Sequence, residues 1–261
     1  MTAGSDIRAI WIASVPRTGS MWTFNVVREL MRSTGISPKP ELVPQDDAEM
    51  EAIGRAGIAA DDGVYVLKVH THIATDLPHS FYVVTHRDIR DSVVSFMRFT
   101  HSDFEAGLRF AAGAIRSEQH FSTFPTDRAL HLDYAEITGE PEAAITRLGQ
   151  HLGIPTPDAL IAGIVGRYSK ARVRERLVAQ EQVLREKIAA RQPVDRRDFV
   201  AQQDRSLRAF DTATGFQSGH VSDYREGDWR KILTAPQQAE LAALIAEGEA
   251  WRAKQGRGGG A

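Results

Sequence analysis

The sequence predicts an α/β fold of three layers, with a central, mostly parallel sheet flanked by helices. Three observations predict it. Short apolar runs alternate with segments whose apolar residues recur at helical spacing, the pattern of strand–helix–strand units. The runs are apolar throughout, as strands buried on both faces are. The first run passes through a turn of small and cationic residues directly into a helix, over residues 11–22. In open sheets of this kind ligands sit beyond the C-terminal ends of the strands.

Each element follows in order. Residues 8–14 form the first strand. From Ser20 to Arg32, Met21, Phe24, Val27, Leu30 and Met31 recur at helical spacing, and Thr34-Gly35 ends that helix. Residues 36–62 are Pro-rich and acidic, with one short helix near 46–56. A second strand lies within 63–70 and a third at 81–85, followed by a helix over 89–99. Residues 103–121 are helical in pattern, 129–132 make a fourth strand, and 141–152 make a helix closed by Gly153 and Pro155. Residues 167–208 carry 12 Lys/Arg against 6 Asp/Glu. There Val173, Leu177, Leu184 and Ile188 mark a narrow apolar stripe on a long charged helix. The plain reading of 167–218 is a solvated helical and loop insert packed along one seam; the sharper one is a lid over an anionic ligand. Residues 192–218 read as loop, and 236–254 as a last helix with Leu241, Leu244, Ile245 and Trp251 on one face. Residues 1–255 are expected to form one domain and 256–261 a flexible tail.

Composition narrows the function. A net charge of −2 creates no global field that would call for nucleic acid or a membrane surface. The absence of cysteine removes disulfides and thiolate metal sites, and fits a reducing compartment. No apolar run approaches the roughly 20 residues that span a bilayer. Residues 1–6 are short and polar and lead straight into a strand, so no signal peptide is expected and the reading is cytoplasmic.

Four stretches carry chemistry. In the opening turn, Arg17, Thr18, Gly19 and Ser20 offer backbone donors, hydroxyls and a cation to an anionic group. A helix start strengthens that offer, because its first amide N–H groups lack internal partners and the helix dipole favours an anion. Trp22 stands where it could stack on a base; core packing is the plain alternative. In Lys68-Val69-His70-Thr71-His72, strand alternation puts Lys68, His70 and His72 on one side. A cation beside an imidazole disfavours the protonated ring and leaves a neutral base near pH 7, either His70 or His72. In the third stretch Arg87 leaves the third strand and Ser95 lies eight residues on, two turns into the next helix, so the two can share one phosphate. Arg90-Asp91 reads as a helix surface pair. The fourth, residues 219–230, is turn-rich, with Arg225 and Gly227. No carboxylate cluster for Mg²⁺ sits near the loop, so no metal is expected.

In their order and spacing these motifs resemble the sulfotransferases that use 3′-phosphoadenosine 5′-phosphosulfate (PAPS), of the cytosolic type. Val15-Pro16-Arg17-Thr18-Gly19-Ser20-Met21-Trp22 is similar to that family's Tyr-Pro-Lys-Ser-Gly-Thr-Thr-Trp. Lys68-Val69-His70 stands for Lys-Thr-His, Arg87 and Ser95 for its Arg and Ser at the same spacing, Tyr134-Ala135-Glu136 for Tyr-Glu-Asp, and Gly227-Asp228-Trp229-Arg230 for Gly-Asp-Trp-Lys. The resemblance covers roughly residues 8–170 and 219–254. It implies a P-loop-type fold and a PAPS donor that leaves as 3′-phosphoadenosine 5′-phosphate (PAP). It implies that Arg17, Thr18, Gly19, Ser20 and Met21 form the phosphosulfate loop, that Trp22 and Tyr134 flank the adenine, and that Arg87 and Ser95 grip the 3′-phosphate. His70 would be the general base, with Lys68 and Arg17 stabilising charge. The chain departs from the pattern at Arg17, a fork where the family has a point charge, and at Met21, where a hydroxyl is lost. Ser222-Asp223-Tyr224 stands where the family has Arg-Lys-Gly, which leaves Arg225 as the substitute 3′-phosphate contact, and Ser169-Lys170 stands for Ser-Phe.

The function expected is in-line transfer of a sulfuryl group to a hydroxyl or amine of a small acceptor. Phe99, Phe104, Phe110, Phe121 and Phe124 could line an aromatic acceptor pocket, or simply fill the core. The rival readings are a P-loop kinase, against which the missing Gly-x-x-x-x-Gly-Lys-Ser/Thr pattern speaks, and a non-catalytic nucleotide-binding protein. The family's C-terminal dimer motif is half matched by residues 230–235, which leaves a homodimer open.

Overall fold

The computed structural model describes residues 7–201, 207–221 and 223–255. The tail at 256–261, Ser222 and the side chain of Trp251 lie outside the described residues.

Four parallel strands form the sheet: β1 (Ala9–Ala13), β2 (Tyr65–Val69), β3 (Ser80–His86) and β4 (Ala129–Asp133), in the order β2-β1-β3-β4. All of β1 is buried, and Trp11, Leu67 and Tyr82 are among the largest fully enclosed side chains, as continuous apolar runs require. Around the sheet lie α1 (Ser20–Ser33), α2 (Asp47–Ala60), α3 (Ile89–Thr100), α4 (Phe104–Phe121), α5 (Tyr134–Gly139), α6 (Pro141–Leu152), α7 (Asp158–Tyr168) and α8 (Lys170–Ala189). The expected α/β class is borne out, and the strands and helices foreseen through residue 152 are present in the expected order, with α5 added between the fourth strand and the helix at 141–152.

The strand register sets up the site. Ile12 pairs with Lys68 and Ala13 with Val69, so the next residues, Ser14 and His70, emerge side by side at the strand ends. On the other flank His86 pairs with Asp133, which brings Arg87 and Tyr134 out together.

Three expectations are corrected. Residues 158–168 form α7, a helix not foreseen, whose Ile161, Ile164 and Tyr168 join the main core. Residues 192–218 are not simply loop: β5 (Phe199–Ala201) and β6 (Leu207–Ala209) pair antiparallel. Strands of three residues leave too little alternation to read. On α8, Val173, Leu177 and Leu184 are buried, but Ile188, one residue before the helix ends at Ala189, is 47% exposed. The chain closes with α9 (Trp229–Ile232) and α10 (Ala235–Gln255), whose Leu241 is buried in a second cluster with Val93, Val94, Tyr224 and Trp229.

Asp91, expected on the surface, is 2% exposed. It accepts hydrogen bonds from the Tyr224 hydroxyl and the Gly227 N–H (3.0 Å to each carboxylate oxygen). This carboxylate fastens the 219–230 segment to α3. The same contact pushes the Tyr224 phenol well above its ordinary pKa, burial being the larger cause. Arg90 pairs with Asp88 instead, at 2.7 Å, and its guanidinium lies over the Trp229 ring at 4.5 Å.

Candidate active site

Beyond the ends of β1, β2 and β3 opens a cavity of about 380 Å³. Its wall includes Arg17, Gly19, Ser20, Met21 and Trp22 from the opening turn, Lys68 and His70, Arg87 and Ser95, and Tyr134. These residues lie far apart in sequence and meet because the strand register delivers them to one edge.

The turn is built to present backbone. Arg17 (φ 73°) and Gly19 (φ 97°) both adopt the left-handed conformation. A Cβ on Gly19 would stand 3.1 Å from the Ile137 side chain and 3.3 Å from the Tyr134 ring. The Thr18 hydroxyl turns inward: it donates to the Val15 carbonyl (2.7 Å) and shares a hydrogen bond with the Thr85 hydroxyl (2.6 Å), so it braces the loop instead of facing the cavity. α2, α3 and α4 start with Asp46, Asp88 and Asp103, each accepting a backbone N–H. α1 starts at Gly19 with no side-chain cap and no acidic residue in its first turn. α5, α6 and α7 also lack a side-chain cap, but α1 starts on the cavity wall with Gly19 and Ser20, where its first amides can meet an anion.

Arg17 is already engaged. Its Nε donates to the Ser95 hydroxyl (3.0 Å), its Nη2 donates to the His220 carbonyl (3.2 Å), and its guanidinium lies 4.4 Å from the Phe99 ring centroid. Burial lowers its pKa to about 10, so it stays charged at neutral pH. Arg87 is different. Its Nη1 donates to the Arg17 carbonyl (3.1 Å) and its guanidinium stacks on Tyr134 at 4.0 Å, while Nε and Nη2 are buried with no partner among the described residues. Buried charged donors left unpaired are costly, and an anion in the cavity would satisfy them. A nucleotide phosphate fits these donors, and Tyr134 and Trp22 on the same wall offer planar surfaces to a base.

His70 has a defined tautomer. Its Nδ1 lies 2.6 Å from the Ser14 carbonyl, which can only accept, so Nδ1 carries the proton and Nε2 the lone pair. The Lys68 ammonium donates to that lone pair at 3.0 Å. Asp47, on the first turn of α2, accepts the His70 backbone N–H (2.7 Å) and stands 3.7 Å from Lys68 Nζ. Burial, and then the Lys68 charge, push the His70 pKa down to about 4. Burial also lowers that of Lys68, against the pull of Asp47. The ring is a neutral proton acceptor at pH 7.

Some expected residues are elsewhere. His72 is exposed, stacks on His120 with centroids 4.6 Å apart and meets the Ser117 hydroxyl at 3.2 Å; it does not line the cavity, because the strand ends at Val69 and alternation stops. Arg225 is exposed and also lies off the cavity wall; its backbone N–H closes a turn onto Asp228 (3.0 Å). Of the five phenylalanines expected at an acceptor pocket only Phe99 reaches the wall. Phe121 and Phe124 fill the main core, and Phe104 and Phe110 pack on the second cluster. Phe96, Phe210 and Phe216 line the cavity in their place. Sequence reasoning also missed Asp47, Lys170 and His220 as wall residues. Only Lys170 carried a signal, its place in the family's Ser-Phe motif.

The parallel sheet thus brings an uncapped helix start, the Arg87 guanidinium and a neutral imidazole to one edge. Residues 65–158 match the model of the sulfotransferase family. Three solved structures share the fold. Retinol dehydratase in complex with retinol and PAP superposes with a TM-score of 0.63 at 14% identity, over 93% of this chain and 82% of that one. Its complex with androsterone and inactive cofactor PAP gives 0.59 at 15% identity, over 93% and 81%. Mouse sulfotransferase SULT7A1 complexed with PAP gives 0.56 at 16% identity, over 95% and 87%. No curated protein matches the chain in sequence. The resemblance to the sulfotransferases is thus supported by the family match over residues 65–158 and by a shared fold over nearly all of the chain. Among the described residues no three His, Asp or Glu side chains are grouped to hold a metal, and no helix is long and apolar enough to cross a membrane.

Proposed function

We propose that this protein transfers a sulfuryl group from PAPS to a hydroxyl or amine of a small acceptor, releasing PAP. The observation that carries this reading is His70, whose acceptor nitrogen Nε2 is held by Lys68, on the wall of the cavity that Arg87 also lines with donors unpaired among the described residues. When bound, the donor supplies an activated sulfuryl group on a phosphate leaving group. Arg87 and the first amides of α1 hold its phosphates, and Trp22 and Tyr134 its base. The acceptor hydroxyl gives its proton to His70 Nε2 as its oxygen bonds to sulfur; the sulfur–oxygen bond to the phosphate breaks and the phosphate keeps the electron pair. Lys68, displaced from Nε2 by that proton, turns to the charge growing on the bridging oxygen, beside Arg17. Positioning and charge stabilisation dominate such transfers. Three side-chain cations supply the charge without a metal ion.

The neighbouring structures hold retinol or androsterone, small and largely apolar alcohols. The apolar part of this wall, Phe96, Phe99, Phe210 and Phe216, suits an acceptor of that kind. We read residues 1–255 as one cytoplasmic sulfotransferase-like unit. Thermal shift with PAP, PAPS, ATP and ATP–Mg²⁺ tests the reading. Selective stabilisation by PAP and PAPS, followed by sulfuryl transfer from labelled PAPS in an acceptor screen, is the expected result. Preference for ATP–Mg²⁺ would make the protein a kinase, and PAP binding without transfer to any acceptor a nucleotide-binding protein.

A further inference from the structure

The cavity contains a second imidazole, and its tautomer is the opposite of the first. His220 follows Gly219, whose φ of 85° folds the chain back so that the ring meets its own turn. The Gln217 backbone N–H donates to His220 Nδ1 at 3.1 Å. An N–H only donates, so Nδ1 holds the lone pair and the neutral ring carries its proton on Nε2. Nε2 has no partner among the described residues, and the ring lines the cavity. Phe99 stacks on it with centroids 5.2 Å apart, and Phe216 meets it edge-on at 6.1 Å. Its carbonyl is tied to Arg17. Enclosure, and then the nearby charges of Arg17 and Lys68, hold its pKa well below the ordinary imidazole value, so the ring stays neutral at neutral pH.

One imidazole therefore accepts a proton and the other presents one, in a cavity they share with Arg17 and Lys68. We propose that His220 is a positioning residue of the transfer, donating its Nε2–H to an oxygen of the sulfuryl group and so turning sulfur toward the acceptor held at His70. The inference rests on the PAPS reading above. A neutral donor suits this task. It binds the sulfuryl oxygen without offering a proton that His70 could lose its acceptor to, and the stack on Phe99 fixes its direction. Its partner on the ligand is present in PAPS and absent in PAP, and that difference makes it measurable without knowing the acceptor.

The experiment is titration calorimetry of PAPS and of PAP with the wild type, His220→Ala, His220→Phe and His220→Gln, with thermal unfolding of each variant. His220→Phe keeps the aromatic packing on Phe99 and removes the donor; His220→Gln restores an N–H donor. The expected result is a loss of PAPS affinity of about tenfold in the Ala and Phe variants, as for one hydrogen bond to a charged group, with PAP affinity unchanged and partial recovery in the Gln variant. Equal loss for PAPS and PAP would show that His220 only shapes the wall, and unchanged affinity for both would show that it touches nothing on the donor; either overturns the proposal. A wild type that binds neither nucleotide overturns the PAPS reading itself, and is recognised before any variant is made.

Discussion

Replacing Arg87 by alanine removes two buried guanidinium nitrogens, Nε and Nη2, that have no partner among the described residues. Each would make a charge-assisted hydrogen bond to the 3′-phosphate, and such bonds contribute about 1.5–3 kcal/mol. With roughly 1.4 kcal/mol per tenfold, loss of one to two bonds weakens PAP binding by about tenfold to about 10⁴-fold. AMP lacks the 3′-phosphate, so its affinity should barely move, and the preference of the wild type for PAP over AMP should collapse. Fold stability should change little. The variant loses the 3.1 Å bond to the Arg17 carbonyl and the stack on Tyr134, but it also removes two buried donors that cost stability unpaired. Arg87→Lys keeps a point charge and should recover part of the affinity. Calorimetric titration of PAP and AMP into the three proteins reads all of this. PAP affinity within twofold of the wild type would refute the reasoning; equal losses for PAP and AMP would mean that Arg87 merely props the opening turn.

His70→Ala should lower turnover by about 10²–10⁴-fold while leaving PAP affinity nearly intact, read from labelled-donor assays and calorimetry. Because the folded His70 sits near pKa 4, below its unfolded value, its stabilising effect is fully present above about pH 6.5 and is lost as pH falls toward 4. Urea unfolding from pH 7.5 down to 4.5 should show that slope in the wild type and a shallower one in His70→Gln. Gly19→Ala forces a Cβ into left-handed backbone against Ile137, and should cost about 1–2 kcal/mol in denaturation together with weaker PAP binding. Asp91→Ala strips the acceptor from the Tyr224 hydroxyl and the Gly227 N–H and should cost about 1–3 kcal/mol. A double-mutant cycle with Tyr224→Phe should show the two positions coupled.

What the sequence revealed was what is local. Residues 11–22 announced a strand, a turn and a helix start because all three lie within twelve residues. Lys68 and His70 were found by two-residue alternation, which holds as far as β2 runs; His72 fails because the strand has ended. The missed features depend on distant partners. Asp91 looks like half of a surface pair until the chain returns some 130 residues later with Tyr224 and Gly227. His220 looks like one residue of a turn until Phe99, Arg17 and His70 surround it. The segment 158–168 carries Gly163 and Gly166, which weaken its helical signal, and only Ile161, Ile164 and Tyr168 meeting the core hold it.

The proton on His70 is placed by the Ser14 carbonyl, a main-chain atom. Another side chain that fits this buried place at position 14 would bring the same oxygen to the same ring, provided β1 and β2 keep their alignment, although the bond from the Thr85 N–H to the Ser14 hydroxyl (2.8 Å) would be lost. The protonation pattern of the base is thus inherited with the backbone and can persist through extensive divergence. A comparison of sequences cannot register it; a superposition of strands can.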